Sequence, residues 1–138
     1  MAYRVQKVNY CYVTVPSRAG QGEKILNELK EAGINLLAFS CFPLKGGKSQ
    51  VDLVSDNTAG IRRLAKKNGW RLSQTKKGFL VRGNDEIGAV HKIMKKLADV
   101  KINVTAADAV AAAGGRYAMI MWVKPKDYTR AARILNAK

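Results

Sequence analysis

Two short polar segments hold the residues of this chain that could do chemistry, and each is a copy of the other. Pro16-Ser17-Arg18-Ala19-Gly20-Gln21-Gly22 closes one apolar run and opens an amphipathic one, and Asn84-Asp85-Glu86-Ile87-Gly88 does the same later in the chain. Adding 68 takes Val13 to Val81, Gly20 to Gly88, Ile25 to Ile93, Leu29 to Leu97, Ile34-Asn35 to Ile102-Asn103 and Gly46-Gly47 to Gly114-Gly115. A glycine repeated at this place marks backbone that runs close to something or turns sharply into a helix. Backbone N–H groups at such a helix start, with the positive end of the helix dipole behind them, form a receptor for negative charge.

Other chemistries find less support. His91 stands alone on a helical stretch beside Lys92 and reads as a solvated surface group rather than a general base. Cys11 and Cys41 lie within apolar runs, show no metal-ligand spacing with each other or with His91, and read as reduced, buried thiols behaving as small hydrophobes. Gly47-Lys48-Ser49 imitates part of a phosphate-binding loop, but it joins two strands where such a loop must open a helix, so it reads as a hairpin turn. No Ser-His-Asp or Cys-His arrangement and no carboxylate pair can be built. The expectation is a non-enzyme with no catalytic residues, no metal and no cofactor.

The bulk property that stands out is charge. The chain has 25 basic and 10 acidic residues, a net charge of +15. Residues 1–74 carry 12 basic and 5 acidic groups and residues 75–138 carry 13 and 5, so +7 and +8 are spread over both copies and not gathered in a tail. Arg62, Arg63, Lys66 and Lys67 form two i, i+4 pairs on one helix, and Lys92, Lys95 and Lys96 make a similar stripe on another. Such stripes bind phosphate backbones in a salt-sensitive, sequence-blind way, which keeps a nucleic-acid-associated protein as the alternative. The stacked aromatics of RNA-binding sheets are missing from Ser49–Val54, and Tyr117 and Trp122 have opposite parity on one strand.

The elements that must position the two segments follow from periodicity. Tyr10–Val15 reads as a strand stopped by Pro16, Ala19–Ala32 as a helix with Gly22, Ile25, Leu26 and Leu29 inward and Gly33 at its end, and Ile34–Phe42 and Ser49–Val54 as a hairpin. Asn57 and its neighbours cap a second helix with Ile61, Leu64 and Ala65 inward. Trp70-Arg71-Leu72 makes a short fourth strand, and Ser73–Lys77 is the linker. The second copy runs as a strand over Gly78–Arg82, a helix over Glu86–Ala98 with Val90, Ile93, Met94 and Leu97 inward, a hairpin from Ile102–Ala111 into Tyr117–Val123, and a last helix from Pro125 through Asn136. This predicts an α+β chain of two ferredoxin-like βαββαβ modules, antiparallel sheets with helices on one face, divided at 1–74 and 75–138. The second module runs out of chain before its fourth strand. Residues 2–7, whose Tyr3-Arg4-Val5 resembles Trp70-Arg71-Leu72, are expected to complete that sheet.

This order of apolar strand, polar loop, glycine, amphipathic helix and Ile-Asn before the next strand resembles the ACT domain, a small-molecule regulatory module, here as a tandem pair over nearly the whole chain. The family loop usually reads Asp-x-Pro-Gly. Ser17-Arg18-Ala19-Gly20 and Asp85-Glu86-Ile87-Gly88 match its length, with Ala19 and Ile87 in place of the proline and the aspartate standing only as Asp85. The resemblance implies a bound amino acid at these loops and control of an attached or partner protein. On that footing the candidate ligand contacts are Ser17, Arg18, Ala19, Gly20, Gln21 and Asn35 in the first module and Asn84, Asp85, Glu86, Ile87, Gly88 and Asn103 in the second. The helix start meets an α-carboxylate, and Asp85 or the amide oxygens of Asn35 and Asn103 meet an α-ammonium. The plainer roles stay open: a glycine that only turns the chain and an asparagine that only caps it. A cytoplasmic homodimer with a small-molecule ligand and a protein effector is the resulting expectation, without a membrane segment.

Overall fold

A computed structural model describes residues 3–138. Its elements are β1 (Tyr3–Pro16), α1 (Gln21–Glu31), β2 (Ala38–Leu44), β3 (Lys48–Val54), α2 (Thr58–Asn68), β4 (Lys76–Asn84), α3 (Ala89–Asp99), β5 (Val104–Ala112), β6 (Arg116–Val123), a single 3-10 turn (Pro125–Asp127) and α4 (Tyr128–Ile134). The chain divides into two compact units, one formed by Asn9–Lys76 and the other by residues up to Val8 together with Lys77–Lys138. The architecture is α+β, and the strand pairs β1–β3, β2–β3, β4–β6 and β5–β6 are all antiparallel.

In the unit of residues 9–76 the strands lie in the order β2, β3, β1. Alternation puts Val13, Val51 and Leu53 on one face, where they pack against Ile25 and Leu29 of α1 and Ile61 and Leu64 of α2. Gly33, at φ +71°, ends α1 and turns Ile34 back so that its N–H donates to the Leu29 carbonyl at 2.9 Å while its side chain is buried. That plug is why β2 starts at Ala38 and not at Ile34. The expected fourth strand over Trp70–Leu72 is reduced to one bridge, Leu72 to Val13. Ser73 explains the shortfall: its hydroxyl oxygen accepts from the Tyr12 N–H at 2.9 Å, and its own N–H donates to the Tyr12 carbonyl, so a side chain replaces the ladder. The expected linker also ends early, because β4 already begins at Lys76.

In the other unit the opening residues of β1 lie beside β4, followed by β6 and β5. Val5, Phe79, Val81, Tyr117, Met119, Met121 and Val123 share a core with Ala89, Ile93 and Leu97 of α3 and with Tyr128, Ala131, Ala132 and Leu135 at the chain end. The Lys7 N–H donates to the Lys138 carbonyl at 2.9 Å and the Lys138 N–H to the Val5 carbonyl at 3.1 Å. Ala2, at the start of the expected 2–7 strand, lies outside the described residues. Pro125 opens a 3-10 turn instead of the α-helix itself, which starts at Tyr128 and stops at Ile134 because Asn136 turns left-handed at φ 53°. Tyr128 anchors that helix, its ring stacked on Phe79 with centroids 4.5 Å apart and its hydroxyl donating to the Gly78 carbonyl at 2.9 Å. Leu26 and Val90, expected to face inward, sit at the margins of their helical stripes and stay exposed.

One buried charge yields a test. Asp52 is 4% exposed. Burial pushes its carboxyl above the usual carboxylate range, opposed by a hydrogen bond from the Gln50 amide at 3.0 Å. Burial first, then Asp52 and Tyr12, pushes the Tyr10 phenol up to about 12. The folded chain therefore holds the Asp52 proton to higher pH than the unfolded chain does. The stability this group contributes is present below its unfolded value and is lost as pH rises through its folded one. Asp52→Asn is expected to melt roughly 2–4 °C above wild type at pH 7 and level with it near pH 3, measured by calorimetry.

Candidate functional site

Both glycine loops are built the same way. Ser17 N–H donates to the Gly47 carbonyl at 2.8 Å, and Asp85 N–H to the Gly115 carbonyl at 2.9 Å, so each loop is pinned to the hairpin turn of its own unit. Gly20 and Gly88 then stand as N-cap residues of α1 and α3 at φ +88° and +81°, a left-handed conformation that side chains rarely adopt. Neither helix start has a side-chain cap, whereas α2 has one: the Asn57 side-chain oxygen accepts from the Gly60 N–H at 2.9 Å. The orphan donors of a first turn need an acceptor. At α2 the Asn57 side chain supplies one; at α1 and α3 no side chain does, and the first helical amide of each donates to a backbone carbonyl, Gln21 to Arg18 at 3.3 Å and Ala89 to Glu86 at 3.1 Å.

A cavity opens beside each uncapped start. The first, about 240 Å³, is lined by Ser17, Arg18, Ala19, Gln21 and Gly22 from the loop and helix, by Val15 and Pro16 of β1, by Cys41 of β2 and by Ser49 and Val51 of β3. The second, about 290 Å³, is lined by Asp85, Glu86, Gly88, Ala89, Val90 and His91, by Ala109, Val110 and Ala111 of β5 and by Tyr117 of β6. Of the residues predicted from sequence, Ser17, Arg18, Ala19, Gln21, Asp85, Glu86 and Gly88 line these cavities. Gly20 caps α1 beside the first. Ile87 is fully exposed, and Asn84, exposed at the end of β4, accepts from the Arg116 guanidinium. Asn35 and Asn103 are exposed, and neither is among the lining residues. The Asn35 carbonyl accepts from the Ser55 hydroxyl at 2.9 Å.

Sequence reasoning missed Cys41, Ser49, Ala109 and Tyr117; Cys11 is buried as expected, but Cys41, expected buried as well, is exposed on β2. The signal was the repeat itself, since the same offset of 68 takes Cys41 to Ala109 and Ser49 to Tyr117. His91, read as a surface group, is exposed but borders the second cavity.

The two cavities differ in charge. The first has the Arg18 guanidinium and no acid, while the second has Asp85 and Glu86. Glu86 is ion-paired with Lys92 at 3.1 Å, which leaves Asp85 as the acid of that cavity without an ion pair among the described residues. The start of α3 and the Asp85 carboxylate thus border one cavity.

The basic stripes look different once folded. The Arg62 guanidinium turns back to donate to the Ser73 carbonyl at 3.1 Å and to the Thr75 hydroxyl at 3.2 Å. Lys92 is held by Glu86 and Lys95 by Asp99 at 2.9 Å, and Lys96 lies 5.3 Å from the centre of the Tyr3 ring. Arg63, Lys66 and Lys67 remain as exposed basic residues on α2. Among the described residues no cluster of three or more His, Cys, Asp or Glu could hold a metal, and no helix is long and apolar enough to cross a membrane.

No protein-family model and no curated protein matches the sequence. Solved structures do resemble it. A protein from Bacteroides thetaiotaomicron superposes with a TM-score of 0.77 at 15% identity, covering 99% of this chain and 90% of that one. The regulatory subunit of aspartate kinase from Thermus thermophilus, in a ligand-free form, gives 0.64 at 11% identity over 99% and 95% of the two chains. A putative C-terminal regulatory domain of aspartate kinase from Porphyromonas gingivalis gives 0.62 at 13% identity over 98% and 94%. The likeness shows the fold, which is ACT-like and ferredoxin-like.

Proposed function

We propose that this chain is a tandem ACT-type regulatory protein that binds an amino acid or similar small metabolite at its glycine loops and does no catalysis. The observation that carries this reading is the pair of helix starts at Gly20 and Gly88, each left without a side-chain cap and each facing a cavity of about 240 or 290 Å³. Support comes from the similar structures, several of which are regulatory parts of aspartate kinase, so the same fold serves regulation elsewhere. In this reading the modules divide at 1–74 and 75–138, with residues 2–7 lent to the second. The protein works in the cytoplasm as a homodimer, and ligand occupancy reaches a partner protein by shifting the balance between conformations of unequal affinity.

Thermal-shift measurement against the twenty common amino acids tests the reading. A ligand present at 100 times its dissociation constant is expected to stabilise the protein by about 2.7 kcal/mol. No shift with any of them, together with salt-dependent retention of DNA or RNA, overturns it in favour of the basic face of α2.

A further inference from the structure

The repeat leaves one cation of the first unit without the acid that its counterpart has. The last helices of the two units align at an offset of 67: Trp70 N–H donates to the Ala65 carbonyl and Ala137 N–H to the Ala132 carbonyl, and Gly69 and Asn136 end them left-handed. Arg63 then matches Arg130, Gly60 matches Asp127 and Lys67 matches Ile134. Arg130 is ion-paired with Asp127 at 3.7 Å, whereas Arg63, Lys66 and Lys67 have no ion pair among the described residues. Position 60 admits no such acid without displacing its neighbours, since a β-carbon there lies 2.7 Å from the Asn57 side chain and 2.9 Å from that of Ile34. Arg63 and Lys67 instead border a groove of about 290 Å³ between the end of α1 and the flank of α2. Its floor is apolar: Ala32, Gly60, and the edges of Ile34 and Leu64 that remain 8% and 9% exposed.

We infer that this groove docks an acidic segment of a partner protein, with one apolar side chain on the floor and flanking carboxylates on Arg63 and Lys67. Gly60, Arg63, Leu64 and Lys67 follow the i, i+3, i+4, i+7 spacing, so the groove runs about 10 Å along α2, the length of about three extended residues. That shape suits a stretch of chain better than a compact ligand. Cations along an apolar floor are complementary to carboxylates beside an apolar anchor. A second copy of this chain, with 25 basic residues to 10 acidic, is a poor source of them. A nucleic acid meets the cations but not the floor, which has no aromatic side chain for a base to stack on. The inference goes beyond the ligand-binding reading and does not depend on it, since no residue of α2 lines either glycine-loop cavity.

The test is fluorescence polarisation at physiological ionic strength with two labelled pentapeptides, Asp-Glu-Phe-Glu-Asp and Asp-Glu-Ser-Glu-Asp. Wild type is expected to bind the phenylalanine peptide about tenfold or more tightly than the serine peptide, a comparison that needs no variant. Reversing both cations, Arg63→Glu with Lys67→Glu, is expected to weaken the phenylalanine peptide by about tenfold or more. Ala32→Leu fills the floor without changing charge and is expected to bring the two peptides within about twofold of each other. All three positions are exposed, so both variants are expected to melt within about 2 °C of wild type. Equal binding of the two peptides by wild type, binding unchanged by the charge reversal, a phenylalanine preference that survives Ala32→Leu, or no binding at all each overturns the inference. A thymidine oligonucleotide that outcompetes the peptide and binds Ala32→Leu as well as wild type overturns it in favour of nucleic acid on α2. None of these outcomes alters the thermal shifts that test the glycine loops.

Discussion

Gly88→Val is expected to abolish the stabilisation conferred by a ligand of the second loop, a loss of about 2.7 kcal/mol at a concentration 100 times the wild-type dissociation constant. The reason is backbone conformation and not a clash. Gly88 sits at φ +81°, and a β-carbon built there meets nothing within 4 Å. A β-branched residue in the left-handed region costs about 1–2 kcal/mol, which the chain relieves by rotating the first turn of α3 away from its present direction. The backbone at the start of α3 that borders the cavity is then displaced. The ligand-free variant is accordingly expected to lose about 1–2 kcal/mol as well, so the informative quantity is the shift on adding ligand and not the melting temperature itself. Gly20→Val, at φ +88° with equally open space, imposes the same backbone cost on the first loop and is the matched control. A ligand held at the second loop keeps its full shift in Gly20→Val and loses it in Gly88→Val; the reverse pattern moves the site to Arg18 and Ser49. A full shift in both variants removes the glycine loops from the mechanism.

Much of the fold was legible because the duplication repeats the residues that local physics needs. Gly20 and Gly88 open helices in left-handed conformation and Asn57 caps α2 through its side chain, both of which depend on neighbours close in sequence. What failed depends on contacts made at a distance. Arg62 has the spacing of an outward-facing residue, yet its long side chain reaches the Ser73 carbonyl and the Thr75 hydroxyl, groups no helical wheel includes. Trp70–Leu72 has strand composition, but the Ser73 hydroxyl takes the Tyr12 N–H that a fourth strand needs. Within the candidate site the loop residues were visible, since glycine and charge punctuate a sequence. The strand residues that complete each cavity were not, because Cys41, Ser49 and Tyr117 look like ordinary strand residues until the hairpin folds over the loop.

Val5→Asp is expected to be the most destabilising single change considered, costing about 4 kcal/mol or more, and its effect is expected to fall on residues far away in sequence. Val5 is 2% exposed and packs in one core with Phe79, Val81, Ile93, Leu97, Met119 and Met121. Its carbonyl accepts from the Lys138 N–H at 3.1 Å, and next to it Gln6 accepts from the Arg82 guanidinium at 2.7 Å. A carboxylate at position 5 has no cation in that apolar setting, so the strand must either carry an unpaired buried charge or leave the sheet. If it leaves, β4 loses the neighbour that shields its edge, and α3 and α4 lose part of the floor they pack on. Native-state hydrogen exchange reads this directly: amides of Ala89–Asp99 and Arg116–Val123 are expected to lose protection. Val5→Ala is the graded control, expected to cost about 2 kcal/mol from lost packing alone and to keep the same pattern of protection at a lower level. Protection retained across residues 77–138 in Val5→Asp would mean that the first strand is not needed to hold that core. With total stabilities of domains near 5–15 kcal/mol, the difference between these outcomes lies well within what exchange resolves.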